Sequence, residues 1–191
     1  MQTKNPLENL KSVDLSHLSK EEAKEFTLLL EELEKREKRE NSMASFYDFV
    51  KTIWPEFIAG AHHKKMAEAF DKIASGESKR LIINMPPRHT KSEFASYLFP
   101  AYLLGKRPKL KIIEATHTAD LAINFGRRVR DLIESDEYAE IFPATQLKAD
   151  SRSAGKWTTS QGGEYYAAGI GGALAGRGAD LFIIDDPHSE Q

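Results

Sequence analysis

The sequence predicts an α/β fold, a mainly parallel sheet flanked by helices and preceded by a helical N-terminal arm. Three observations predict it. From residue 81 onward, short apolar runs alternate with segments of helical period, the pattern of a parallel sheet covered by helices. The first run, Leu81-Ile82-Ile83-Asn84-Met85, leads directly into the polar stretch Pro86-Pro87-Arg88-His89-Thr90-Lys91-Ser92. The last run, Leu181-Phe182-Ile183-Ile184, ends in Asp185-Asp186, about 90 residues further on.

Taken in order, residues 1–18 are polar and read as a loose lead-in. Ser19 and Glu22 have capping-box spacing, so a helix is expected from about Lys20 to Glu40, with Phe26, Leu29, Leu30 and Leu33 as its apolar stripe. Beyond Leu33 only charged residues follow up to Glu40, and pairs such as Glu31–Lys35 and Glu34–Lys38 add only ~0.2–0.5 kcal/mol each. That end is a solvated helix tip or a docking arm for a partner. Helices are expected from Ser45 to Trp54, stopped by Pro55, and from His62 to about Ala74. Strand Leu81–Met85 precedes a helix over Ser92–Leu104. Strand Lys111–Thr116 precedes a helix from Ala119 to Glu134, on which Leu121, Ile123, Phe125, Val129, Leu132 and Ile133 are apolar. Trp157–Thr159 and Glu164–Ala168 form a hairpin across Gln161-Gly162-Gly163, and Leu181–Ile184 is the last strand.

Composition narrows the function classes. The 191 residues, 40% hydrophobic, suffice for one globular domain with an appendage. The absence of cysteine excludes a disulfide scaffold and a thiolate zinc site, and fits a reducing cytosol. No apolar run approaches the ~20 residues that span a bilayer. The N-terminus is not signal-like, so no membrane partner is expected. With a net charge of −2, any contact with nucleic acid needs a local patch.

A strand, a tight loop ending in Lys-Ser and a following helix form a phosphate cradle: backbone N–H groups surround the anion, the lysine neutralises it and the hydroxyl meets Mg²⁺. Lys91 is thus expected on the β- and γ-phosphates and Ser92 on the metal, with Pro87, Arg88, His89 and Thr90 completing the loop. Arg88 is either a γ-phosphate contact or a surface charge. In the usual G-x-x-x-x-G-K-[ST] pattern the two glycine positions fall here on Met85 and Thr90. If the loop needs positive φ at Thr90, a β-branched residue costs roughly 1–2 kcal/mol there. Asp185, at the carboxyl end of an apolar strand, is expected to bind the same Mg²⁺, because ligands of open α/β sheets sit at that edge. Asp186 is then free to orient the attacking water, or the pair is an Asp-Asp-Pro turn. The two motifs in this order argue for an ATP-hydrolysing P-loop domain.

The stretch from Ile83 to Glu93 resembles the ATPase motif of tailed-phage terminase large subunits, the motors that pump DNA into procapsids. The run Gly171-Gly172-Ala173-Leu174-Ala175-Gly176-Arg177-Gly178-Ala179-Asp180 before the acidic strand is similar too, as is Ala115-Thr116-His117-Thr118-Ala119-Asp120-Leu121-Ala122. The resemblance runs from about Phe49 to the end. It implies an additional-strand, helicase-like P-loop ATPase using ATP and Mg²⁺; residues 1–42, outside the resemblance, are read as a helical, charged N-terminal arm, and 43–191 as the ATPase core, incomplete at its C-terminal end. By it, Asp186 stands where many relatives have glutamate, and Arg177 resembles an arginine that senses a γ-phosphate, in its own or a neighbouring subunit, the other reading being a loop arginine in a Gly-rich segment. It further implies double-stranded DNA, a procapsid portal, a small terminase subunit and a homo-oligomeric ring as partners, in the host cytoplasm. Family members continue past the acidic strand into a coupling strand and a nuclease domain. Gln191 lies five residues past Asp186, so the chain is expected to be a fragment with part of its sheet missing.

Three further features stay open. Trp54, His62 and His63 lie where relatives contact the base, Trp54 reading more readily as core and the histidines as a helix face. Arg127, Arg128 and Arg130, with Lys106, Arg107, Lys109 and Lys111, form either a DNA-phosphate patch or a solvated helix face offset by Asp131 and Glu134. The competing functions are another helicase-like DNA translocase and a nucleotide-binding interaction module without turnover.

Overall fold

A computed structural model of the chain describes residues 6–172, Leu174 and 176–188. Ala173 and Ala175 of the glycine-rich run, residues 1–5 of the lead-in and residues 189–191 lie outside the described residues. The chain divides into two compact units, residues 1–41 and 42–191. Among the described residues no helix is long and apolar enough to cross a membrane.

The first unit contains α1 (Pro6–Lys11), within the stretch expected to be loose, and most of α2 (Lys20–Ala44). The start of α2 is a full capping box. The Ser19 N–H donates to the Glu22 carboxylate at 2.8 Å, and the Glu22 N–H donates to Ser19 Oγ at 3.3 Å. Lys11 pairs with Glu34 at 2.8 Å. The expected apolar stripe is only half realised: Phe26 and Leu30 are half-buried, whereas Leu29 and Leu33 are exposed.

In the second unit the core gathers on Phe46, at the start of α3 (Phe46–Ile53). Its ring meets those of Phe49, Phe70, Phe94, Phe99 and Tyr102 at centroid distances of 5.2 to 6.3 Å. Ser45 caps α3 by accepting the Asp48 N–H. The next helix, α4 (Ala61–Ser75), ends at Gly76, whose φ of 83° suits the left-handed closing residue. Trp54 packs on Phe57 at 5.3 Å, a core role.

The sheet has the order β2-β3-β4-β1-β5. β1 (Lys111–Thr116) runs parallel to β4 (Glu164–Gly169) and to β5 (Leu181–Ile184), while β3 (Lys156–Thr159) is antiparallel to β4 and to β2 (Leu147–Arg152). It is therefore mixed and not mainly parallel, because the hairpin at Gln161-Gly162-Gly163 reverses the chain and β2 adds to it. α6 (Ala119–Ile133) lies across β4 and β1. A Cβ at Gly126 of α6 would stand 2.7 Å from the Ala154 carbonyl oxygen and 2.9 Å from the Tyr165 ring, so only glycine permits this approach. Next comes α7 (Asp136–Ile141), capped by Ser135.

Leu81–Met85, expected as a strand, pairs with no strand among the described residues. Ile83 and Met85 pack half-buried on the core, while Ile82 is 86% exposed. An apolar run favours burial, but a strand needs a partner that takes its N–H and C=O groups. β5, with Phe182 and Ile184 both more than half exposed, is left at the edge of the sheet.

The helix expected over Ser92–Leu104 forms with a widened centre. Lys91 and Ser92 are helical, Glu93–Leu98 is π-helical, and α5 (Phe99–Lys106) follows. Pro100 has no N–H to offer the Ser96 carbonyl, and the Phe99 N–H reaches back five residues to Phe94.

Candidate functional site

The carboxyl end of β5 and the start of the helix at Lys91 bring charges together. Asp185 continues β5 just far enough for its N–H to donate to the Ala115 carbonyl at 3.0 Å, and its side chain is buried. Lys91 Nζ lies 3.5 Å from Asp185 Oδ1 and donates to Asp186 Oδ1 at 2.5 Å. The bond to Asp186 raises the lysine's pKa, with the Asp185 charge adding to it against the cost of burial. Asp186 is mostly exposed, has a φ of 41°, and accepts the His117 N–H on its carbonyl. A positive φ is better tolerated by aspartate than by bulkier residues.

Ser96, absent from the sequence reading, is the other partner of Asp185. Its hydroxyl is fully buried and donates to Asp185 Oδ2 at 3.0 Å. It lies four residues after Ser92, and the π-helical turn aims it at the sheet. Glu114 was missed as well. It lies in the middle of β1 with no exposure and accepts the Tyr165 hydroxyl on Oε2, while its Oε1 meets no hydrogen-bond partner among the described residues. Burial pushes this carboxyl up to about 8, the Tyr165 hydroxyl working against the shift. A charge inside an apolar strand was its only signal in the sequence.

Along the loop, Pro86, Pro87, Arg88 and His89 are exposed and Thr90, Lys91 and Ser92 half-buried. Two loop residues hold left-handed backbone, Arg88 and Thr90, each with φ 62°. His89 Nδ1–H donates to the Pro87 carbonyl at 2.8 Å, and the Thr90 hydroxyl donates to the His89 carbonyl at 2.6 Å. Thr90 Oγ1 also lies 2.8 Å from His63 Nε2. His63 Nδ1 accepts the Gly60 N–H at 2.8 Å, so its proton sits on Nε2 and is donated to Thr90. His63 is therefore no exposed helix face: it is 6% exposed, and desolvation, with His62 and His89 nearby, holds its pKa below the usual value. The signal for it was spacing, three residues after Gly60, where a capping box carries its reciprocal side chain.

Arg177 is not brought to this group. Its guanidinium lies 3.8 Å over the ring of Tyr166, whose residue pairs with Ile113. That is three residues, or about 10 Å, before the end of β1. By strand alternation Tyr166 is on the face opposite Tyr165 and Glu114. The basic cluster is largely committed to internal partners. Arg128 grips Glu93 with two bonds of 2.9 and 2.5 Å and covers Tyr97, and Arg130 pairs with Asp131. Arg107 donates to the Ala74 carbonyl and Lys106 to the Tyr102 hydroxyl. Arg128, gripped by Glu93 and laid over Tyr97, is thus neither a free phosphate contact nor a fully solvated charge. Among the described residues no three His, Asp or Glu side chains cluster to enclose a metal.

No protein-family model, no curated protein and no solved structure matches this chain.

Proposed function

We propose that this chain binds ATP with Mg²⁺ and hydrolyses it, as the motor portion of a DNA-packaging terminase large subunit. The observation that carries the reading is the meeting of Lys91 with Asp185 and Asp186, which are 95 residues apart along the chain in the case of Lys91 and Asp186. A helix start bearing Lys-Ser, set against a buried carboxylate at the carboxyl edge of a sheet, suits a metal-bound nucleoside triphosphate. In this reading the backbone of residues 87–92 surrounds the phosphates, and Lys91 turns from the acidic pair to the β- and γ-phosphates. Arg88 reaches the γ-phosphate and Asp186 orients the attacking water. Ser92 and Asp185 would hold Mg²⁺; one carboxylate and one hydroxyl fit an ion that keeps several waters. The ion, when bound, neutralises charge on the phosphate oxygens. The seat of Arg177 over Tyr166, and not beside Lys91, favours action on a neighbouring subunit's nucleotide in a ring. Double-stranded DNA, a procapsid portal, a small terminase subunit and a host-cytoplasm setting follow from the resemblance alone.

The experiment is titration of the chain with MgATP, calorimetrically, before and after Lys91→Ala. Loss of charge-assisted phosphate bonds costs roughly 1.5–3 kcal/mol, a 10- to 100-fold weaker affinity. Unchanged affinity in a folded Lys91→Ala protein overturns the assignment.

A further inference from the structure

Resting on the reading of residues 86–92 as a phosphate loop, we propose that His63 is a positioning residue for it. His63 holds Thr90 in the left-handed backbone conformation that a glycine would adopt unaided. The residue just before Lys91 has φ 62°, and it is a threonine, whose branched Cβ opposes that conformation. Strain of this kind persists only where surrounding structure over-determines it. Here the surrounding structure can be named. The Thr90 side chain donates to the His89 carbonyl and accepts from His63, so both of its local options are fixed at once.

His63 is itself unable to yield. Its ring is packed edge-on against Phe57 at 4.6 Å and lies over Phe94 at 5.4 Å, both part of the aromatic core. Its Nδ1 is tied to the Gly60 N–H, which fixes the tautomer and leaves only Nε2–H to donate. Gly60 in turn leaves room for the neighbouring imidazole: a Cβ there would stand 2.8 Å from the His62 ring. The Thr90 carbonyl accepts the Phe94 N–H, the first turn of the helix that carries Lys91 and Ser92. The start of α4 thus sets the backbone at the loop's tightest point, and through it the direction of Lys91. The histidine replaces with one side-chain bond what the more usual sequence does with a missing Cβ.

The test is a double-mutant cycle between positions 63 and 90 in the 191-residue chain, with MgADP as probe. His63→Ala is expected to weaken MgADP binding about tenfold with the native threonine. In the Thr90→Gly background the same substitution is expected to change affinity by less than about twofold, because the strain it releases is gone. Thr90→Val, which keeps the shape and loses the hydroxyl, should reproduce the effect of His63→Ala and not add to it. His63→Gln, which keeps a donor, should recover part of the affinity. Equal loss from His63→Ala in both backgrounds means that the ring serves packing alone and overturns the inference, as does no loss with the native threonine. The same cycle read by thermal unfolding needs no nucleotide. There His63→Ala should lower the midpoint clearly with Thr90 and much less in the Thr90→Gly background. If MgADP fails to bind even the native chain, the phosphate-loop reading falls, and the unfolding cycle still decides the role of His63.

Discussion

The two sides of the sheet are built differently. On the hairpin side, Trp157 is fully buried, stacks on Tyr165 with rings 4.9 Å apart and 4° from parallel, and donates its indole N–H to the Gly126 carbonyl. Strands β2, β3 and β4 are laddered, and α6 lies across β4 and the adjoining β1. On the other side β5 has, among the described residues, one neighbour, β1; its residues Phe182 and Ile184 are more than half exposed, and Leu81–Met85 joins no strand among those residues. The candidate site lies on this second side: Asp185 extends β5 and is tied by its backbone to β1, while Lys91 is reached through a loop whose Thr90 is bonded to a histidine. Rigid backbone sets the carboxylate, and side-chain bonds set the cation. The loop side is therefore the side that can respond to a ligand, since local opening follows low contact density and exposed backbone.

Breaking the packed side should have the largest effect. Trp157→Ala removes a buried ring together with its indole bond to the Gly126 carbonyl, and is expected to cost about 3–5 kcal/mol. Denaturant unfolding followed by circular dichroism checks it. A cost below about 1 kcal/mol would mean that this side is no more rigid than the other.

Acidity should separate the two sides by sign. Glu114 binds its proton more tightly folded than unfolded, so its contribution to stability falls as pH rises from 4.5 to about 8, by at most ~1.4 kcal/mol per pH unit. His63 binds its proton less tightly folded, so the loop side loses stability as pH drops below 6.5. A proton on Nδ1 would also face the Gly60 N–H donor. Glu114→Gln should abolish the alkaline slope and leave the acidic one, while His63→Gln should do the reverse. Unfolding midpoints across this range measure both, and a slope unaffected by either change would remove that group from the account.

The smallest effect is expected at the bare edge. Phe182→Thr on the exposed face of β5 should alter stability by no more than about 0.5 kcal/mol, as at other surface positions. A loss several times larger would mean that the residue is covered in solution, and that the two sides are more alike than the structure has them.

Much of this was legible in the sequence. Lys91-Ser92 and Asp185-Asp186 stand out because each follows an apolar run, and the structure brings Lys91 onto both carboxylates. The α2 capping box, the ends of α3 and α4 and the hairpin at Gly162 are local signals, readable within a few residues. What escaped depends on distance. Leu81–Met85 has strand composition, but pairing is decided by whether another strand reaches it, and β2, with its polar run Leu147–Arg152, has none of that composition and is paired. The Thr90 contact joins residues 27 apart, and the Ser96 contact joins residues 89 apart. Neither histidine nor serine carries a mark of such a partner. The exposed half of the α2 stripe is a reminder that helical period alone does not supply something to pack against.

The widened turn ahead of Pro100 has a consequence for how this helix tolerates change in length. Five-residue spacing in place of four inserts, in effect, one extra residue into the winding, and each residue of an α-helix turns the chain by roughly 100°. Everything before the turn, Lys91 and Ser92 included, is thereby rotated relative to α5, which is anchored in the aromatic core. Deleting a single residue within Glu93–Leu98 would let the helix wind regularly and keep the lysine on the same side of the axis, whereas closing the turn to four-residue spacing with every residue kept would swing the lysine by roughly 100°. The phase of the helix, and not only the identity of its residues, is what points the cation at the acidic pair.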